Sequence, residues 1–259
     1  TLVETIKRGD GRLDLARLRE SEISGNDLTG GYIIRYDKPN GDLQIEYPKE
    51  DEIREEQRDY ILGFMSTYYT VLNSRYFMDT DSGFRKYIND TSLVDYLIVN
   101  EITKNADAYL FSTYMYKDRD DRDPRLHYGP LWDYDLAFGN SIFQQADRTD
   151  GWQFDNGTNT RLRVTKLFQD RQLVDLFRER WHSAREGCFH TDSLFAYIDS
   201  TVAELQAPVE RNYQVWPIID KDLFNPNYHS GSYPEEIWNI KNWMSARLDW
   251  IDDNIDDIY

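Results

Sequence analysis

Asp107, Asp133 and Asp135 are the side chains whose type and setting could do chemistry. Asp107 follows Asn105-Ala106 at the end of an aliphatic run, and the other two sit in Gly129-Pro-Leu-Trp-Asp133-Tyr-Asp135-Leu-Ala-Phe-Gly139-Asn140. Aspartate is depleted in strands and seldom buried without a partner. Carboxylates in such apolar company need a cation, a helix N-terminus or a ligand. One chemistry that uses two separated carboxylates is phosphoryl transfer from ATP. One acid orients or deprotonates the acceptor, and the other holds Mg²⁺ on the phosphates. A bland alternative stays open for each residue: Asp107 could cap a helix or pair with Lys104 or an arginine, and Asp133 could form a turn at a strand end.

The elements that must position these residues are partly legible. Residues 1–7 and 31–37 are β-like, and 43–47 adds a strand after the Pro39-Asn40-Gly41 turn. Ile53, Ile61, Met65, Tyr68 and Leu72 fall mostly on one helical face, which predicts a long amphipathic helix over 49–74. Asp90-Thr-Ser is expected to cap a helix over 92–104. Its apolar residues (Leu93, Val94, Leu97, Ile98, Val99, Ile102) point in almost every direction, so it should be buried on every side, with Asp95 and Glu101 as paired exceptions. Residues 112–117 and 126–132 read as a hairpin around Asp118-Arg-Asp-Asp-Arg-Asp123-Pro. Helices follow at about 162–186, 191–214 and 234–257, the last with apolar residues stepping by three and four from 237 to 258. The pattern predicts an α+β chain of mainly helical character with a central β-hairpin and N-terminal strands.

Composition narrows the function. A formal charge of −17, from 47 acidic against 30 basic side chains, disfavours nucleic acid, whose phosphates need a basic face. It equally disfavours anionic membrane surfaces, and no apolar run is long enough for membrane insertion. It leaves an Mg-nucleotide open, since a metal can bridge carboxylates to phosphates. Cys188 is the only cysteine, which excludes a disulfide framework and a cysteine-based zinc site. Aromatic residues make up 15% of the chain; a large aromatic core explains this, and an aromatic cleft for sugars or adenine is the sharper alternative. The abrupt apolar opening at Thr1 reads as a piece of a longer precursor.

The runs Asn100-Glu-Ile-Thr-Lys-Asn105-Ala-Asp107-Ala-Tyr109, Ser112-Thr-Tyr-Met-Tyr-Lys117 and Gly129–Asn140 closely resemble the spore coat protein H (CotH) kinase family. Glu4-Thr-Ile-Lys7-Arg8 followed by Arg12-Leu-Asp-Leu15, Leu28-Thr-Gly-Gly-Tyr-Ile-Ile34 and Ile240-Lys-Asn-Trp243…Arg247…Trp250 resemble further segments, so the likeness spans nearly the whole chain. It implies an atypical protein-kinase-like fold, with 1–47 the remnant of a β-rich N-terminal lobe and 48–259 a helical lobe carrying the aspartates. It also implies phosphorylation of Ser or Thr on a protein acceptor, using ATP and Mg²⁺ or Mn²⁺, in an extracellular, cell-surface or spore-coat setting. Carried over by motif, Asp107 matches the catalytic aspartate and Asp133 the metal-binding one. By the same resemblance Asp135 is expected as a further metal contact and Asn105 and Ser112 as cofactor contacts, while Glu4 reads either as a cofactor contact at the nucleotide edge or as an inner-lobe polar contact. The three aspartates are expected to converge on one cleft. Ser112 stands where some members carry Asn. The family's nucleotide-gripping lysine precedes the Glu-x-Ile-Lys-Arg segment and hence Thr1. The alternative reading is a non-catalytic coat or surface assembly protein, with glycan binding as one form of it.

The remaining features read as structure. Lys117 is expected to be a surface strand lysine, and Asp118–Asp123 a solvated turn lacking the central glycine of a calcium loop. Asp79-Thr-Asp-Ser-Gly83 reads as a turn. His127, His182, His190 and His229 have no metal-ligand spacing. Trp238, Trp243 and Trp250 read as core.

Overall fold

The computed structural model describes residues 4–38, 41–155, 164–219, 221 and 230–258. The order of elements is α1 (Gly25–Leu28), β1 (Tyr32–Tyr36), β2 (Leu43–Tyr47), α2 (Glu55–Asn73), α3 (Asp90–Thr103), β3 (Thr113–Lys117), β4 (Leu126–Tyr128), α4 (Val164–Leu167), α5 (Arg171–Glu186), α6 (Thr191–Val215) and α7 (Tyr233–Asn254). The chain is thus mixed α and β, with a small antiparallel sheet. Among the described residues it divides into two compact units, one of 4–96 and 109–133, the other of 97–108, 134–155 and 164–258. The boundary expected after residue 47 falls inside the first unit. No helix among the described residues is long and apolar enough to cross a membrane.

The first unit is built on a sheet of order β2-β1-β3-β4. Strand β1 is central, pairing with β2 on one side and β3 on the other. A central strand with both faces covered has no polar-outward alternation, and accordingly Tyr32, Ile33, Ile34 and Tyr36 are all buried. On one face Ile33 and Tyr114 pack with Leu15 from the N-terminal segment. On the other, Tyr32 stacks against Tyr60 of α2 at 5.9 Å between ring centroids. The expected strand over 1–7 is not formed by residues 4–7. Gly9 and Gly11, both at positive φ, fold the chain back at once, and Gly9 N–H donates to Leu13 O at 3.0 Å. The backbone groups go into a local turn instead of a ladder, apart from one bridge between Arg8 and Leu13. Strand β4 stops at Tyr128, short of the expected 132. Gly129 takes a φ of 117° and Pro130 has no N–H to donate.

Helix starts follow their caps. Helix α2 begins six residues later than expected because the Arg54 N–H is taken by Gln57 Oε1 at 3.1 Å. For α3, Asn89 acts as the cap, its Oδ1 accepting Ser92 N–H at 2.9 Å. The expected helix 162–186 is interrupted, and its first two residues lie outside the described ones. Asp170 accepts the Leu173 N–H at 2.9 Å and starts α5 anew after α4.

The second unit has an aromatic and aliphatic core. Phe154 and Phe168 stack at 3.9 Å, and Trp152 meets Trp250 edge to face at 5.0 Å. Trp181, Leu248, Ile251 and Ile255 are fully buried. One expectation fails here. Trp238 is 65% exposed, whereas Trp243 and Trp250 are half-buried. Glu101 is an exception on α3 as foreseen, but it is buried: it accepts the backbone N–H groups of Gln153 and Phe154 at 2.7 and 2.9 Å and pairs with Arg247. Asp95 is exposed.

Candidate functional site

The sequence-predicted residues fall into two groups. In the first unit, Glu4 and Asp133 line one cavity of about 510 Å³, together with Lys7, Arg12, Leu131 and Trp132. Trp132 leans on Tyr114 of β3 at 5.8 Å, which places the segment before Asp133 on the sheet. Glu4 is ion-paired with Arg12 across the cavity. Asp133 is exposed and has a φ of 63°, a left-handed conformation that aspartate tolerates better than most residues. Ser112, at the entry to β3, is buried and also left-handed, with a φ of 51°. It does not line this cavity.

In the second unit, Asn105 and Asp107 belong to one turn. The Asp107 N–H donates to Asn105 Oδ1 at 3.2 Å, and the Ala108 N–H donates to Asn105 O at 2.9 Å. An asparagine side chain that copies a backbone turn in this way fixes the direction of the following residues. Asn105 is buried and Asp107 is half-buried. This turn is tied to the segment carrying Asp135 by two backbone hydrogen bonds, Ala106 N–H to Leu136 O at 3.0 Å and Phe138 N–H to Thr103 O at 2.8 Å. Tyr134 adds a third tie, its hydroxyl donating to Asn100 Oδ1 at 3.2 Å. Asp135 itself is exposed and lines a different cavity, of about 600 Å³, with Phe138, Asp147, Tyr213, Glu236 and Trp243. Asp133 and Asp135, expected on one metal, therefore line separate cavities. Lys104, one of the alternative partners open to Asp107, gives its ammonium to Asp150 O at 2.7 Å. Burial, and then the Arg247 charge, pull that ammonium down to about 8.

Left-handed backbone concentrates where these residues lie. Lys104, Tyr109, Ser112, Asp133 and Phe138 all have φ between 42° and 68°. Such conformations are held only where the surroundings over-determine them, and they gather at functional sites.

Sequence reasoning gave no role to Lys7 and Arg12, the two cations in the Asp133 cavity. The signal was their place in a segment that also carries Glu4, with glycines at 9 and 11 to turn it back. Lys117 is not a surface lysine. It is fully buried, donating to Thr29 O, Asp118 O and Asp120 Oδ1 at 2.7, 3.1 and 2.6 Å. Nor is 118–123 simply solvated, since buried Asp118 accepts the Ala16 N–H at 3.0 Å and meets Arg122 at 2.9 Å. The 79–83 turn forms as expected around Asp79 Oδ1. His127 and His182 face Asp123 and Asp256, and His190 caps α6. His229 lies outside the described residues.

A model of the CotH kinase protein family matches residues 13–251. No curated protein matches the chain.

Proposed function

The chain belongs to the CotH kinase protein family, and on that premise we propose that it transfers a phosphoryl group from ATP, with a divalent metal, to Ser or Thr of a coat, envelope or surface protein. The observation that carries this reading is the cavity in which Asp133 and Glu4 meet Lys7 and Arg12. Mg²⁺ is held by one or two carboxylates plus substrate phosphates. Among the described residues no group of three acidic, histidine or cysteine side chains could hold a metal alone. The Asp133 and Glu4 carboxylates in one cavity are the one or two that a phosphate-borne metal needs. When bound, that metal supplies neutralisation of charge on the transferring group.

In this reading Asp133 holds the metal, and Arg12 faces the phosphates. Asp107, aimed by the Asn105 turn, orients the acceptor hydroxyl and takes its proton. Asn105 acts through the turn that aims Asp107; Asp135 and Ser112, which do not line the Asp133 cavity, take no part in this reading. Radiolabel transfer from ATP, with calorimetric titration of Mg-ATP, tests these assignments. Asp133→Asn should lower transfer by about 100-fold or more with the circular dichroism spectrum unchanged. Asp107→Asn should lower turnover by a similar order and leave Mg-ATP affinity nearly intact. A protein that neither binds Mg-ATP nor labels any acceptor is better described as a non-catalytic assembly protein. One observation favours that second reading: Tyr197, Trp216 and Trp238 are 72%, 63% and 65% exposed. Quenching or protection of tryptophan fluorescence by oligosaccharides would support it, and an unchanged spectrum would count against its glycan-binding form.

A further inference from the structure

A second cavity of the first unit, of about 590 Å³, is lined by Lys7, Arg8, Arg17, Leu18, Arg19, Glu20, Ser21, Tyr47 and Glu52. Four cations against two carboxylates is an unusual balance on a chain of net charge −17. The cations are not equivalent. Arg8 is spent on the fold, donating to Leu15 O at 3.3 Å with its guanidinium over the Tyr47 ring at 5.9 Å. Arg19 is paired with Glu22 at 3.0 Å, and Glu20 is neutralised by Arg54. Lys7 and Arg17 carry no ion pair and no side-chain hydrogen bond among the described residues. The frame around them is fixed: Leu18 is buried, and its N–H donates to the Tyr47 hydroxyl at 3.1 Å.

Two unpaired cations on a fixed frame suit an oxyanion. A phosphate monoester presents three acceptor oxygens and close to two negative charges, which a guanidinium fork and an ammonium can share. Lys7 also lines the Asp133 cavity, so the two cavities adjoin at that residue. Arg17 and Arg19 are exposed at the rim, within reach of a group borne on another chain.

We propose that this basic cavity holds a phosphoserine already present on the acceptor protein, so that the kinase favours acceptor segments phosphorylated at a neighbouring site. The proposal rests on the kinase reading for the identity of the bound chain, but not for the binding itself. A net charge of −17 disfavours a phosphorylated segment over the molecule as a whole, and four cations at one cavity stand against that background. The opposite source of the same chemistry is the nucleotide's own phosphate chain.

The test uses a phosphoserine peptide, its unphosphorylated counterpart and Mg-ATP, each titrated into the protein and into Arg17→Ala and Arg17→Glu variants. Arg17 is exposed, so both variants should fold. The phosphopeptide should bind the parent, weaken about tenfold in Arg17→Ala and further in Arg17→Glu, and weaken with added salt. The unphosphorylated peptide should not bind, and Mg-ATP affinity should be the same in all three proteins. Equal phosphopeptide affinity in parent and variants, or none in the parent, overturns the proposal. A matching loss of Mg-ATP affinity in the variants assigns the cavity to the nucleotide and overturns it too. Phosphopeptide binding by a protein without transfer activity would sink the kinase reading alone.

Discussion

Among the described residues each compact unit buries one cation completely, and the two are held differently. Lys117, in the first unit, is surrounded by two carbonyl oxygens and the partly exposed Asp120, with the Tyr60 and Phe64 rings 5.6 and 5.3 Å from its ammonium. Arg247, in the second, donates to the carbonyls of Glu101, Thr149 and Gly151 at 2.7, 3.0 and 2.7 Å and pairs with the Glu101 carboxylate at 3.3 Å. Both members of that pair are buried. A lysine is a point charge that collects whatever oxygens are near, whereas an arginine fork fixes the directions of several. Arg247 thus joins α3 and α7 to the 149–154 loop in one network. Lys117 closes a turn. The difference is one of consequence when the cation is removed, because only in the second unit is a buried carboxylate left behind.

Arg247→Ala should therefore have the largest effect. Stranding the Glu101 charge in the interior costs about 3–5 kcal/mol, and denaturant unfolding should show it. Arg247→Lys keeps the charge but not the fork, and should recover only part. Pairing Arg247→Met with Glu101→Gln should be milder than Arg247→Ala. If the double variant is no better, the carboxylate is not what the arginine serves. Lys117→Met should cost less, about 1–3 kcal/mol, for carbonyl groups left without donors, since Asp120 can turn to water. A Lys117→Met loss equal to that of Arg247→Ala would erase the distinction between the two cages.

The contrast also shows what a sequence can disclose. The Asn105-Ala-Asp107 and Trp132-Asp133-Tyr-Asp135 runs stand out in the sequence because residue type marks them, carboxylates set among apolar neighbours, but residue type did not disclose that Asp133 and Asp135 line separate cavities. The amphipathic stripes of α2 and α7 were legible because period 3.6 is local. Lys117 was not. Its burial depends on Thr29, which lies 88 positions away, and on Gly30, where a Cβ would come within 2.0 Å of the Asp118 carbonyl carbon. Thr-Gly-Gly read as a strand entry; its second purpose, close approach to the 118–119 backbone, is tertiary. The pairing of Glu101 with Arg247 spans 146 positions and left no periodic trace. Trp238 misled for the complementary reason. It lies beside the apolar stripe of α7, but α6, the neighbour that could cover it, has no buried residue of its own. Glu4 and Asp133 fell into one cavity only because the Gly9–Gly11 turn carries the N-terminal segment back over the sheet.

The smallest predicted effect separates charge from geometry within the second unit. Among the described residues Lys104 has no carboxylate side chain as its hydrogen-bond partner; its ammonium donates to the Asp150 carbonyl, and burial followed by the Arg247 charge lowers it from 10.5 to about 8. The sign follows from proton counting. Below about pH 8 the lysine is protonated in both folded and unfolded chains, so the folded state bears the full penalty. Between about 8 and 10.5 the unfolded chain binds more protons than the folded one, and stability contributed by this group rises with pH. Comparing the parent with Lys104→Met isolates that slope. The phenols of Tyr32 and Tyr60, pushed up by burial, lose stability at higher pH in both proteins and cancel. The parent should gain about 1–2 kcal/mol on the variant between pH 7.5 and pH 10, measured by denaturant unfolding at fixed ionic strength. Lys104→Met should be near neutral at pH 7.5, unlike Arg247→Ala, because it removes an unfavourably buried charge. A pH-independent gap would mean that Lys104 is stabilised by its surroundings as Arg247 is, and that neighbouring charge does not distinguish them.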